Sequence, residues 1–288
     1  MTTHHVVDTP WHAVILAGGK GTRLKPFTDH LPKPLIPLGK IPILELIIRQ
    51  LKGYGFQQVT LCVGHMAELI HAHFGNGDDF GLPIHYTFED SPLGTAGPLA
   101  FLSALPEHFL VMNADLVTDL NFKLLMEEHI QHQSMATLAT FQRTTQIEFG
   151  VLDFVNNTQD ISGFREKPTL VHSVCMGIHA LHRDVLRYIP VGELCGIDTL
   201  VSRLMNDGHR VRAYKFDGYW LDIGRHTDYE TAQRDFEQMR HRLLPQEGTH
   251  KGQLKKASPP KVLYKTKDSK ISNASRRALN KTASAVEG

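Results

Sequence analysis

The sequence predicts an α/β fold of three α/β/α layers, with helices on both faces of a mixed, mainly parallel sheet and a β-rich second half. Three observations predict it. Short apolar blocks alternate with segments of helical spacing up to Ser134, the first apolar block runs straight into glycines, and after Ser134 strand-like runs follow one another with few helices between them. Strands linked through helices require right-handed crossovers, which cover a parallel sheet on both faces.

The elements follow in order. Residues 13–17, Ala-Val-Ile-Leu-Ala, form a buried strand that ends in Gly18-Gly19-Lys20-Gly21. Pro42 opens a helix over 43–51, which Gly53 and Gly55 close. Strands are expected at 59–63, 84–88 and 109–112, with helices at 65–74 and 99–105. In the second half, 135–141, 150–155, 174–181 and 211–216 read as strands, and 184–188, 198–205 and 227–242 as helices. No linker interrupts 12–243, so one domain is expected there, its β-rich half lying over the sheet's carboxyl edge. Residues 1–11 are an N-terminal extension, and 244–288, rich in Lys, Ser, Ala and Pro, read as a flexible basic tail that burial cannot order.

Composition removes several function classes. The 288 residues are 41% hydrophobic and 21% charged, with a net charge of +1, so no global field argues for nucleic acid or a membrane surface. Residues 1–11 carry neither the basic nor the apolar region of a secretion signal, and no apolar stretch approaches the roughly 18 residues of a membrane span. Cys62, Cys175 and Cys195 have no paired spacing, which suits a reducing, cytoplasmic compartment. The 18 histidines are scattered without acidic or cysteine partners at ligand spacing, and are expected on surfaces and helix faces. Oligomeric state cannot be read, and a homo-oligomer stays open.

Chemistry concentrates in Leu16-Ala17-Gly18-Gly19-Lys20-Gly21-Thr22-Arg23-Leu24. Glycines after a buried strand let backbone N–H groups approach phosphate oxygens. The segment is no Walker loop, because Gly21 follows Lys20, and no dinucleotide fingerprint, because Leu24 stands where the third glycine belongs. By spacing alone it is either a tight structural turn or a phosphate cradle. Arg23, Lys25-Pro26 and Pro32-Lys33-Pro34-Leu35 add cations on stiff backbone, with Lys33 expected on a rigid extended segment. Fixed cations beside a glycine loop suit phosphoryl transfer, which depends on positioning and charge neutralisation. Asp115, after the strand at 109–112, and Asp222, in Tyr219-Trp220-Leu221-Asp222-Ile223-Gly224, are either caps or a carboxylate pair for Mg2+.

The glycine loop followed by Pro32-Lys33-Pro34-Leu35 resembles the signature of the sugar-nucleotide pyrophosphorylases, over about 12–240. The resemblance implies a Rossmann-like nucleotidyltransferase that joins a nucleoside triphosphate to a sugar 1-phosphate with Mg2+ and releases pyrophosphate. It assigns Leu16, Ala17, Gly18, Gly19, Gly21 and Thr22 to the nucleotide and Arg23 and Lys33 to its phosphates. Asp115 and Asp222 become the metal ligands, although Ala114 replaces the family's usual glycine and would be strained were φ positive there. Gly94, Thr95 and Gly97, in Pro92-Leu93-Gly94-Thr95-Ala96-Gly97, match the nucleobase loop in a form closer to the mannose-1-phosphate guanylyltransferase branch than to the thymidylyl branch. From chemistry alone, Thr95 could instead cap its own helix. Lys167 matches the sugar-phosphate ligand and Glu166, Gly150 and Gly177 the sugar contacts, with Asp198 a further candidate. Uridylyl or thymidylyl transfer, and a non-catalytic sugar-nucleotide sensor, are the alternatives. An NAD-dependent dehydrogenase is opposed by the failed fingerprint.

Overall fold

The computed structural model describes residues 11–244; most of the N-terminal extension and nearly all of the basic tail lie outside the described residues. The chain runs β1 (His12–Ala17), β2 (Pro37–Leu38), β3 (Ile41–Pro42), α1 (Ile43–Gly53), β4 (Gln58–Val63), α2 (Ala67–Phe74) and β5 (Ile84–Phe88). It continues through β6 (His108–Asn113), β7 (Leu116–Thr118), α3 (Phe122–Gln131), β8 (Ala136–Gln146), β9 (Val151–Phe154), β10 (Ile161–Arg165) and β11 (Thr169–His182). It closes with α4 (Ile197–Asn206), β12 (Val211–Phe216), β13 (Trp220–Asp222) and α5 (His226–Leu243).

One seven-stranded sheet, in the order β12-β8-β11-β6-β1-β4-β5, organises the molecule. β11 is its only antiparallel strand among the described residues, pairing that way with both β6 and β8. Successive side chains of a strand face opposite sides, and the cores show it directly. Ala13 and Ile15 of β1, Leu110 and Met112 of β6, and Ile178 and Ala180 of β11 enter one core with α1, α2, α3 and α5. Val14, Phe109, Val111 and Leu181 enter the other, which α4 and the 97–105 segment cover. Each fully buried Leu, Ile or Phe contributes roughly 1.5–3 kcal/mol, so both faces stabilise the sheet. Among the described residues no helix is long and apolar enough to cross a membrane.

The structure departs from the sequence expectations in identifiable places. The β-rich half does not form a separate layer: β8, β11 and β12 extend the same sheet, and only β9 and β10 pair apart as a hairpin. The 99–105 helix is only a 3-10 turn, Gly97–Phe101, because Pro98 suits a first turn and Leu102 is already extended. Helix α3 lay in a stretch without a predicted element, although Asn121 caps it by accepting the Leu124 N–H at 3.1 Å. The histidines are not all superficial: His12, His129 and His179 are buried. His12 Nε2 meets Thr60 Oγ1 at 2.8 Å and His129 Nδ1 meets Thr137 Oγ1 at 2.9 Å, which offsets part of the cost of burial.

Candidate active site

At the carboxyl ends of β1, β4, β5 and β6 a cleft of about 690 Å3 opens. Open parallel sheets bind ligands at this edge. Its walls hold Leu16, Ala17, Gly18, Gly19, Gly21 and Thr22 from the first loop, Arg23 and Lys33 beyond it, and Gly94, Thr95 and Asp115 opposite. Gly21 sits at φ 62°, and a Cβ there would come within 2.9 Å of the Thr28 methyl carbon and 3.2 Å of Lys33 Cβ. The glycine is thus required both by its left-handed backbone and by the closeness of the Lys33 segment. Lys33 is not extended: it begins a 3-10 turn, Lys33–Leu35, with extended Pro32 as its cap. Pro34 is compatible because the first helical turn needs no proline N–H.

The cation-bearing segment is clasped from behind by α5. Tyr229 Oη and Gln233 Nε2 both donate to the Pro37 carbonyl at 2.9 Å, and Gly39 N donates to Gln233 Oε1 at 2.8 Å. His226 Nε2 meets the Lys25 carbonyl at 2.7 Å, and Phe27 packs on the His226 and Tyr229 rings. Arg23 reaches Gly224: its guanidinium nitrogens lie 3.6–3.7 Å from where a Gly224 Cβ would stand, ordinary van der Waals contact.

Main-chain hydrogen bonds bring the two aspartates together. Asp222 pairs with Leu116 in the β7–β13 ladder, and Ile223 N donates to the Asp115 carbonyl at 3.0 Å. Asp115 Oδ2 forms an ion pair with Lys33 Nζ, while Asp115 Oδ1 is buried without a hydrogen-bond partner. Burial raises the Asp222 carboxyl, the Asp115 charge raises it further, and Lys33 and Arg23 oppose both. Neither aspartate caps a helix; α5 begins at Arg225 without a side-chain cap. An orphaned carboxylate oxygen beside a second, mutually repelling carboxylate fits a divalent cation, for which Asp115 and Asp222 are the available ligands. Ala114 carries no strain, because it is absent from the residues with positive φ, and its N–H donates to the Leu16 carbonyl at 3.1 Å.

The glycines expected at the nucleobase have packing roles of their own. Gly97 is buried and does not line the cleft: a Cβ on it would meet Leu93 Cβ at 2.8 Å and the Glu193 carbonyl at 3.1 Å. A Cβ on Gly94 would stand 2.6 Å from the Cys195 carbonyl, which already accepts the Ala96 and Gly97 N–H groups. Thr95 caps no helix of its own; its hydroxyl accepts the Ile197 N–H at 2.9 Å, at the first turn of α4.

Gly150, Glu166, Lys167 and Gly177 stand outside the cleft lining, as does Asp198 of α4, whose carboxylate folds over the N-cap Gly196. A Cβ on Gly150 would lie 3.3 Å from Glu166 Oε2 and 2.6 Å from the Phe164 ring, so these residues form a second cluster on the β9–β10 hairpin. Lys167 holds φ 43°, a left-handed conformation uncommon for a side-chain-bearing residue. Gly177, φ 74° at an irregularity of β11, lets that strand approach Asn113. A Cβ there would be 2.7 Å from the Asn113 amide nitrogen, and Asn113 lines the cleft.

Several cleft residues escaped the sequence reading: Lys20, His65, Glu89, Asp90 and Asn113. Glu89 had a usable signal, since it directly follows β5 at the same sheet edge that singled out Asp115. Its carboxylate lies 3.1 Å from the Gly18 Cβ position; burial raises it, and a hydrogen bond from the Leu93 backbone opposes that.

Comparisons with known proteins agree with this layout. The sequence pattern of the Nucleotidyl transferase family matches residues 12–239. The chain is 32% identical over 242 residues to a UTP–glucose-1-phosphate uridylyltransferase from Synechocystis sp., covering 77% of this chain and 62% of that protein. It is 34% identical over 239 residues to the mannose-1-phosphate guanylyltransferase catalytic subunit beta of Drosophila melanogaster, covering 81% and 64%. It thus spans about three fifths of the length of the curated relatives it matches. Among solved structures, HddC from Yersinia pseudotuberculosis complexed with GMP-PN shares the fold, with TM-score 0.60 and 22% identity over 78% of this chain and 99% of that one. With the matched pattern covering the whole described sheet and both aspartates, the chain belongs to the nucleotidyl transferase family, alongside sugar-1-phosphate nucleotidyltransferases.

Proposed function

We propose that this protein joins a nucleoside triphosphate to a sugar 1-phosphate, releasing pyrophosphate and forming a nucleotide sugar, with GTP and mannose 1-phosphate or a related hexose 1-phosphate as substrates. The observation that carries the reading is the convergence of the Lys33–Asp115 ion pair, Asp222 and Arg23 beside a glycine loop. A sugar-phosphate oxygen, already ionised and needing no general base, attacks the α-phosphorus in line. Arg23 offers a planar fork and Lys33 a point charge to the departing pyrophosphate. Lys167 orients the attacking phosphate, and Glu166, Gly150 and Gly177 contact the sugar. A divalent cation, which we assign as Mg2+ on Asp115 and Asp222, supplies neutralisation of phosphate charge when bound. Three free cysteines suit a reducing, cytoplasmic setting.

Glu89 supports GTP over other nucleotides. Guanine presents two adjacent donors, N1–H and N2–H2, which one carboxylate can accept together, whereas uracil and thymine present a single N–H between two carbonyls. The same cleft holds Gly94 and Thr95 of the loop whose form favours the guanylyl branch.

The test is pyrophosphate release by the purified protein with Mg2+, crossing four nucleoside triphosphates with a panel of sugar 1-phosphates. Release with GTP and one sugar is expected, and Glu89→Gln should reduce the preference for GTP over UTP by about tenfold or more. Release with UTP or dTTP instead keeps the reaction and overturns the base; binding without turnover for every pair favours a sensor.

A further inference from the structure

At the end of the sheet opposite the cleft, the antiparallel register pairs His108 at the start of β6 with His182 at the close of β11. Glu107 precedes β6 there, and its carboxylate Oε1 lies 3.4 Å from His182 Nε2. One ligating atom each from Glu107, His108 and His182 lies within 4.8 Å of the other two. His129 of α3 stands edge-on to His108 with ring centroids 5.0 Å apart, and His182 does so from another side at 5.1 Å. His108 Nδ1 is buried without a partner, and so is Nε2 of His129, whose side chain is wholly buried. Buried ring nitrogens without partners are rare in native proteins and ask for an explanation.

We propose that Glu107, His108 and His182 form a site for a divalent transition metal of the zinc class, distinct from the Mg2+ site of the cleft. Two imidazole nitrogens and one carboxylate oxygen are borderline donors that suit zinc, whereas Mg2+ and Ca2+ seek all-oxygen shells. Tetrahedral zinc, with ligand distances of about 2.0–2.1 Å, requires the three side chains to draw together around the ion, and exposed Glu107 leaves the solvent side for a fourth ligand.

His182 Nδ1 accepts the Asp184 N–H at 3.1 Å, and its Nε2 faces Glu107. The site would tie β6 to β11, the one antiparallel strand of the described sheet.

The test titrates ZnCl2 into the full-length protein carrying His4→Ala and His5→Ala, which removes a terminal histidine pair, in excess Mg2+ to fill the carboxylate site. Calorimetry should show one equivalent bound, and Co2+ in place of zinc should give the intense visible absorption of four-coordinate nitrogen and oxygen ligation. His108→Ala should weaken binding by at least about tenfold, and so should Glu107→Gln, whose exposed side chain makes a folding defect improbable. Circular dichroism controls for folding of each variant. No uptake by the parent protein, or unchanged affinity in both folded variants, overturns the proposal. Nucleotidyl transfer in Glu107→Gln should equal that of the parent, so this outcome is separable from that of the cleft.

Discussion

The two clusters assigned to substrate are built to different standards. In the cluster proposed for the phosphates, Ala114 N on the Leu16 carbonyl, Ile223 N on the Asp115 carbonyl and the Lys33–Asp115 ion pair lock three distant segments together. The cluster proposed for the sugar stands on a two-stranded hairpin whose large apolar side chains face outward, Phe149 at 77% exposure and Phe164 at 64%. Preorganised charge is most effective where charge develops in the reaction, which is at the transferring phosphorus and not at the sugar ring. On the proposed function, the difference assigns fixed electrostatics to the phosphate chemistry and leaves to the hairpin the part of recognition that varies with the sugar.

That contrast can be broken at its strongest point. Asp222→Ala should retain the fold and lose turnover by about 10²–10³-fold or more, because it removes preorganised charge from the reacting centre. A variant of near-parental kcat would show that the paired carboxylates are structural. A smaller effect is expected from Lys167→Ala, which should raise KM for the sugar phosphate by about tenfold while changing kcat less, as befits a binding contact. Equal loss in kcat and kcat/KM would instead put Lys167 in the transition state and erase the distinction between the halves.

The remaining prediction leaves the chemistry alone and concerns the sheet beneath both. His12 and His179 are buried, and burial lowers each ring to about 4. The folded rings bind protons less readily than the unfolded ones, so their stability contribution is full above about pH 6.5 and is lost as the pH falls toward 4. His12 alone accounts for up to about 3 kcal/mol of this loss. Melting temperature should therefore fall steeply over that interval, and more shallowly in His12→Gln. A pH-independent melt would show that these rings titrate alike in both states.

The sequence disclosed what is local. A five-residue apolar run ending in glycines, Asp115 after a strand and the Pro32-Lys33-Pro34 pattern each carry their meaning within a few positions, and the structure puts all three in one cleft. What it did not disclose depends on long-range pairing. β7 and β13 have three residues each, too few for any periodicity, yet they align the aspartates. Gly97 looked like a ligand position and proved to be a packing position, because the backbone it touches arrives from residues 193–195. The Glu107–His108–His182 grouping is invisible to spacing rules for the same reason.

The β7–β13 ladder also has a consequence for synthesis. Asp222 follows Asp115 by 107 residues, the difference of their positions in the sequence. At roughly 5–20 residues per second, a ribosome takes about 5–20 s to supply the second carboxylate after the first. Throughout that interval the emerging chain holds its glycine loop, Lys33 and Asp115 but lacks the strand that completes the charge pair. A nascent or truncated chain ending before Trp220 could thus display the early nucleotide-facing residues while remaining unable to consume nucleotide. On the proposed function, the position of β13 late in the chain makes turnover a marker that synthesis has passed Asp222.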